Sequence, residues 1–157
     1  MVYNTLGLRF IALFIDNLIL LPLALLGGNG EKVTLDFVTI TTMVLANSYY
    51  IIGHAQYGRT IGKKLMGVKV VGAHQHLPVT WMQAIRRELL WILRSAGFAF
   101  LVANPENHLN TPVNISLILL LPILADGVLA FIHPQNRSLR DFIGGTVVIR
   151  HRDIPVE

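Results

Sequence analysis

Residues 6–26 read LGLRFIALFIDNLILLPLALL, and this stretch decides the fold. A helix needs about 20 apolar residues to cross the hydrocarbon core of a bilayer, and this run supplies them. Asp16 lies near the middle of the run. An ionisable side chain is costly in hydrocarbon, so within a spanning helix it usually faces the protein interior and has a partner. The sequence therefore predicts a membrane protein whose intramembrane charges are the first candidates for a functional site.

Three further apolar runs follow, over residues 35–53, 88–103 and 113–132. The run 88–103 is short and contains Arg94, so it crosses the membrane, begins earlier at Trp81, or lies in the interface as an amphipathic helix. Only 14% of the residues are charged, against about 25% in soluble domains. We predict a single domain over residues 1–157, an all-α membrane protein with four transmembrane helices.

The basic residues favour the four-helix arrangement. Segments 54–87 and 133–157 contain six and four Lys or Arg residues, whereas segments 27–34 and 104–112 contain one and none. Basic segments tend to stay on the cytoplasmic side. We therefore expect a bacterial cytoplasmic (inner) membrane protein with a cytoplasmic loop 54–87, a cytoplasmic tail 133–157 and both termini in the cytoplasm.

A small cytoplasmic β element is also expected. Residues 67–71 and 145–150 are rich in β-branched side chains and read as strands. Residues 72–77 can form a turn, and residues 78–80 can form a short second strand. Together they would make a local hairpin, which the strand 145–150 completes. The alternative is that the two segments are unrelated loops.

Arg9 and Asp16 are seven residues apart, close to the about 7.2 residues of two helical turns, so both fall on one face of the first helix. We interpret Asp16 either as a ligand for a proton or cation or as a polar contact that orients helices. Arg94 and Asp126 have similar depths from the inner edges of their runs, which predicts an ion pair that locks two helices. Asn47 is expected to hydrogen-bond a charged neighbour.

Several function classes are disfavoured. No basic helix or aromatic platform indicates nucleic-acid binding. The segment 58–64 has three rather than four residues between its glycines and lacks Ser or Thr after its Lys, so it is not a phosphate loop, and its lysines are expected at anionic lipid heads. The histidines are scattered and the chain has no Cys. We therefore expect no metal site, no cofactor and, because no nucleophile–base pair is evident, no enzyme.

The chain resembles the RDD family of small membrane proteins, which is named after one arginine and two aspartates. Arg9 and Asp16 match the first two, and Asp141, in the segment SLRDFIGGTVV, matches the third. The segment 58–71 is also similar to the family pattern. The resemblance implies transport, and some members are associated with exchange of sodium or other monovalent cations for protons. Because Asp141 falls outside the fourth run, we expect it to pair with Arg9 as an inner gate.

The leading hypothesis is membrane transport by monovalent cation/proton exchange, in which Asp16 gives up a proton for a cation. A homo-oligomer is expected, since four helices enclose little space for a path. The alternative is a structural or accessory protein that binds a membrane partner or lipid and uses its buried charges only to lock helices together.

Overall fold

The computed structural model describes residues 5–26, 37–74, 76–103 and 112–150, with side chains not described over 101–103 and 112–119. The predicted loops 27–34 and 104–111 and the tail beyond Arg150 lie outside these residues. Four long helices are present, and their bounds are α1 Leu6–Leu26, α2 Phe37–Tyr57, α4 Trp81–Ala103 and α5 Pro112–Ile132. Two short helices are α3 Ile61–Leu65 and α6 Leu139–Gly144, and two strands are β1 Val68–Gly72 and β2 Thr146–Arg150.

The bounds of α1 and α5 agree with the predicted runs to within one residue, whereas α4 begins seven residues before Glu88, at Trp81. A reciprocal cap explains the early start. The Thr80 N–H donates to Gln83 Oε1 over 3.0 Å, and the Gln83 N–H donates to Thr80 Oγ1 over 3.3 Å. Such a capping box satisfies donors that the first helical turn leaves unpaired.

One helix within the described residues is both long and apolar enough to cross a membrane, over Leu6–Leu25. Polar side chains along α2 and α4 set those helices apart from it. Many large apolar side chains nevertheless face outward, including Phe14 at 70% exposure and Phe131 at 76%. Such faces are typical of surfaces that contact a membrane or another protein, because soluble monomers rarely expose wide apolar patches.

The β element differs from the predicted hairpin. Strand β1 pairs antiparallel with β2, and Val70 lies opposite Val148. The C-terminal strand is therefore its partner, as expected, but residues 78–80 form no strand. Pro78 lacks the N–H that a ladder needs, and Thr80 caps α4 instead. Three valines of the two strands, Val68, Val70 and Val148, pack into a core with Val79 and Ala84.

The pairing of β1 with β2 brings together the connecting segments at one end of the long helices. Strand β1 follows α2 and α3, and strand β2 follows α5 and α6, so the sheet holds both connections at the same end. The beginning of α1 joins them, because Thr5 Oγ1 donates to the Val148 carbonyl over 3.5 Å. Gly58 permits the close approach after α2. Its φ is +65°, and a Cβ there would lie 2.9 Å from the Val70 carbonyl oxygen. We call this end of the molecule the polar end.

Candidate functional site

Asp16 is 1% exposed and is held by three donors. Its Oδ1 accepts from Tyr49 Oη over 2.7 Å and from the Gly62 N–H over 2.8 Å. Its Oδ2 accepts from Thr60 Oγ1 over 2.6 Å. The segment 58–64, whose lysines were expected at anionic lipid heads, instead folds back against α1. Tyr49, from α2, is a direct partner of the carboxylate.

Glycine at position 62 makes this approach possible. A Cβ added there would lie 2.2 Å from the Ala12 carbonyl oxygen and 2.9 Å from Asp16 Cγ. Real Cβ atoms do not approach other atoms so closely, so only glycine brings its N–H to the carboxylate with the backbone in this position.

Arg9 and Asp141 form the predicted ion pair, with 2.8 Å between Arg9 Nη2 and Asp141 Oδ2. Arg9 also donates to Ser138 Oγ over 3.0 Å and to the Asn136 carbonyl over 2.5 Å. The pair therefore clasps the beginning of α1 to the segment that leads into α6.

Asp141 also has a second arginine partner, since Arg87 Nη1 donates to its Oδ1. The Ser138 N–H donates to Asp141 Oδ2 over 3.0 Å. Burial alone would raise the pKa of Asp141, but Arg87, Arg9 and the Ser138 N–H outweigh that effect and hold the pKa well below its usual value. Asp141 is therefore a fixed carboxylate.

The sequence did not predict a chain of buried contacts that leads away from Arg87. Glu88 Oε1 lies 3.7 Å from Arg87 Nε and 3.0 Å from His54 Nδ1. His54 Nε2 lies 2.5 Å from Lys63 Nζ. Lys63 was expected at lipid headgroups and His54 was read as one of several scattered histidines, yet both are buried. No motif marked these residues, because their partners come from α2, α3 and α4.

Asp126 pairs with Arg140 rather than with Arg94, so that prediction is wrong. Arg140 Nη2 lies 2.9 Å from Asp126 Oδ2, and the Arg140 N–H donates to Asp126 Oδ1 over 3.0 Å. The Arg94 guanidinium instead lies over the Trp91 ring, 4.7 Å from its centroid. Because α4 begins at Trp81, Arg94 lies about 20 Å along the helix, which is much deeper than a start at Glu88 would put it.

Asn47 also departs from its prediction. Its Nδ2 donates to the Met43 carbonyl over 2.8 Å, one turn earlier in the same helix. Asn47 therefore donates to a carbonyl of its own helix rather than to a charged neighbour.

A cavity of about 60 Å³ lies among these groups. This volume exceeds the about 10–15 Å³ that one water needs. Six acidic or basic side chains from five helices contribute to its wall: Arg9, Asp16, Lys63, Arg87, Asp126 and Arg140. The remaining lining is largely apolar, with Phe10, Leu13 and Trp91 among its members. The cavity thus brings together both acids that the sequence placed inside apolar runs.

The chain is similar to a known protein family and to a bacterial protein. The chain is 26% identical over 142 residues to a protein of Haemophilus influenzae described as an uncharacterized protein, and the alignment covers 90% of this chain and 74% of that protein. No solved structure matches the chain. The RDD family matches over residues 3–145, a span that includes Arg9, Asp16 and Asp141. The chain therefore belongs to the RDD family.

Proposed function

We propose that this protein exchanges a monovalent cation for a proton across a membrane, and that the cation binds beside Asp16 in the cavity at the polar end. The observation that carries this proposal is the shared cavity. Asp16 and Asp126 lie on its wall together with basic side chains, and the space exceeds that of one water. A small cation there meets carboxylate oxygens, which suit hard cations.

The proposal includes four membrane crossings with the polar end in the bacterial cytoplasm. The long helices have 21, 21, 23 and 21 residues, enough for a core about 30 Å thick at about 1.5 Å per residue. The sheet gathers both basic segments at one end, which supports an even number of crossings between them.

The topology is directly testable because the chain has no Cys. Single substitutions His74→Cys, in the exposed turn after β1, and Asn107→Cys, in the predicted outer loop, give clean labelling sites. An impermeant maleimide added to intact cells should label Asn107→Cys, and His74→Cys should react only after lysis. The reverse pattern, or labelling of both in intact cells, contradicts the proposed orientation.

Arg9 and Asp141 would act as an inner clasp in this scheme, because their ion pair lies at the polar end and joins α1 to α6. The cavity is small, so a longer path would use a second copy of the chain. Chemical cross-linking in native membranes should then capture a homo-oligomer, and a monomer at every cross-linker length contradicts this part of the proposal.

The exchange is tested in vesicles of bacterial lipid that contain the purified protein and a pH-sensitive dye. An imposed sodium gradient should drive proton movement in wild type, and Asp16→Asn should abolish it. Asn17→Ala, at the exposed neighbour in the same helix, serves as the matched control. Protein-dependent exchange that is unchanged in Asp16→Asn excludes Asp16 from the mechanism, and no exchange in wild type under sodium or potassium gradients rejects the function.

A second function, a structural or accessory membrane protein, is favoured by one specific observation. The carboxylates of Asp16, Asp126 and Asp141 are each already held by donors from other elements. Their role would then be to lock helices together. Asp16→Asn would lower the Tm and reduce co-purification of a partner or lipid, with no sodium-driven proton flux in wild type to lose.

A further inference from the structure

Lys63 connects the cavity to the buried histidine. It is 8% exposed and lies on the cavity wall, and its Nζ is 2.5 Å from His54 Nε2. On the other side of the imidazole, His54 Nδ1 is 3.0 Å from Glu88 Oε1. A carboxylate close to Nδ1 favours the tautomer with the ring proton on Nδ1, and in that tautomer Nε2 accepts an N–H from Lys63. A charged or a neutral amine can make that contact.

The charged groups of the cavity wall, counted with the two carboxylates that contact Arg87, carry one uncompensated negative charge when Lys63 is left out. Arg137 is not counted, because it lies outside the wall, is part-buried and contacts Asp141 through the backbone carbonyl. Three guanidinium groups contribute, those of Arg9, Arg87 and Arg140. Four carboxylates contribute, Asp16 and Asp126 on the wall and Glu88 and Asp141 beside Arg87. With all of these ionised, one negative charge remains. The other titratable groups that face Lys63, His54 and Tyr50 from α2, are neutral when the imidazole holds one proton.

A buried region with an uncompensated negative charge is costly, so a positive charge in the cavity is favoured. An ammonium group at Lys63 supplies it. If Lys63 loses its proton, a cation that enters the cavity restores the same balance. Burial lowers the pKa of Lys63 well below its usual value, and the positive charges of Arg87 and Arg140 lower it further, so the surroundings favour release of its proton.

We propose that the Lys63 ammonium and a monovalent cation compete for this cavity, so that Lys63 Nζ releases the proton when the cation binds. The step balances: one proton leaves Nζ for water, one cation enters, and the net charge of the cavity is unchanged. This assignment rests on the proposed exchange function and names the group that carries the proton, while Asp16 contributes carboxylate oxygens beside the cation.

The test measures cation binding separately from transport. The Tm of the purified protein is recorded in sodium chloride and in choline chloride at equal ionic strength, at one low and one high pH. Sodium should raise the wild-type Tm by a few degrees at high pH and by less at low pH, because a ligand that binds only the folded state stabilises it.

Two substitutions at Lys63 should separate the effects. Lys63→Gln removes the competing charge, so sodium should raise its Tm equally at both pH values. Lys63→Arg keeps a permanent charge, so sodium should not raise its Tm at either pH. Lys64→Gln, at the exposed neighbour, should behave as wild type. A Lys63→Gln protein that keeps the wild-type pH dependence, or a Lys63→Arg protein that sodium still stabilises, overturns the assignment.

A further measurement uses only the wild-type protein, so its result does not depend on whether a variant folds. Sodium added to weakly buffered protein should release about one proton for each cation bound, as read by a pH dye, and binding without release overturns the assignment. If the proposed exchange function is wrong but the competition at Lys63 is right, the Tm pattern and the proton release persist while vesicles show no sodium-driven proton flux. If sodium changes the Tm of none of these proteins, the competition itself is rejected.

Discussion

The backbone N–H of Gly62 donates to Asp16 Oδ1 over 2.8 Å, although 46 residues separate the two in the chain. Thr60 and Tyr49 donate to the same carboxylate, and the Ile61 N–H donates to Tyr49 Oη over 3.1 Å. The hydrogen bonds to this carboxylate thus come from the connecting segment and from α2, and none of them comes from a basic side chain of the described residues. This relationship holds α3 against α1.

Gly62→Ala should destabilise the protein, since the new Cβ would lie 2.2 Å from the Ala12 carbonyl oxygen. Overpacking of this kind costs about 1–3 kcal/mol, and we expect a lower Tm in detergent. Gly7→Ala, in α1, is the control because a Cβ there meets nothing within 4 Å, and it should match wild type or be more stable. Equal Tm values for the two variants contradict the close approach of α3 to α1.

Tyr49→Phe should lower the free energy of unfolding without a large change in shape. It removes the donor to Asp16 and the acceptor for the Ile61 N–H. A lost hydrogen bond is worth about 0.5–1.5 kcal/mol, so the total should be about 1–3 kcal/mol. Tyr57→Phe, where the ring is 64% exposed, controls for loss of a phenol. The measurement is thermal unfolding, and indistinguishable losses in the two variants would count against the Asp16 contact.

Arg87→Gln should be far more damaging than Arg86→Gln. Arg87 is fully buried and contacts Asp141 and Thr146, whereas its neighbour Arg86 is exposed. Removing one member of a buried ion pair leaves the other unpaired and costs about 3–5 kcal/mol. The yield of monodisperse protein and its Tm should both fall for Arg87→Gln. Matching behaviour of the two variants is the result that refutes the buried position of Arg87.

Asp126 should couple energetically to Arg140 and not to Arg94. In a double-mutant cycle, Asp126→Asn combined with Arg140→Gln should deviate from additivity by about 0.5–3 kcal/mol, as contacting residues do. Asp126→Asn combined with Arg94→Gln should be additive to within about 0.5 kcal/mol. The free energies come from unfolding of the purified variants. Coupling of Asp126 to Arg94 would restore the pairing that the sequence predicted.

Asp141 should make stability sensitive to acid. Its folded-state pKa lies below the unfolded value, so the ionised carboxylate contributes stability that is fully present above about pH 4 and is lost as pH falls toward the folded pKa. Wild type should exceed Asp141→Asn in stability at neutral pH, and below about pH 4 the gap should narrow by up to about 1.4 kcal/mol per pH unit. A gap that stays constant from pH 7 to pH 3 rules out this linkage.

The positions of the apolar helices were predictable because apolar run length is a local property. The bounds of α1 and α5 agree with the runs, and the early start of α4 had a local signal in Thr80 and Gln83 that the run boundary missed. The pair of Arg9 and Asp141 followed from depth along the chain and from the family resemblance. The depth argument gave the wrong partner for Arg94, because the inner edge of its run was taken at Glu88.

The inward turn of α3 could not be predicted from patterns. Lys63 and Lys64 are adjacent basic residues in one segment, yet one is buried and the other exposed. The difference arises because Gly62 lets the chain approach Ala12 and Asp16, which points its neighbour into the cavity. Nothing in the composition of the segment distinguishes the two lysines.

By itself, the sequence determined that this is a helical protein of the RDD family with a membrane-length first helix, a basic end and carboxylates inside apolar runs. Only the tertiary structure decided which groups compensate those carboxylates and that Lys63, His54, Glu88 and Arg87 form one buried chain. The physical reason is that the length of an apolar run is set by neighbours along the chain. The partner of a charge is set by contacts between elements as far apart in sequence as the 132 residues from Arg9 to Asp141.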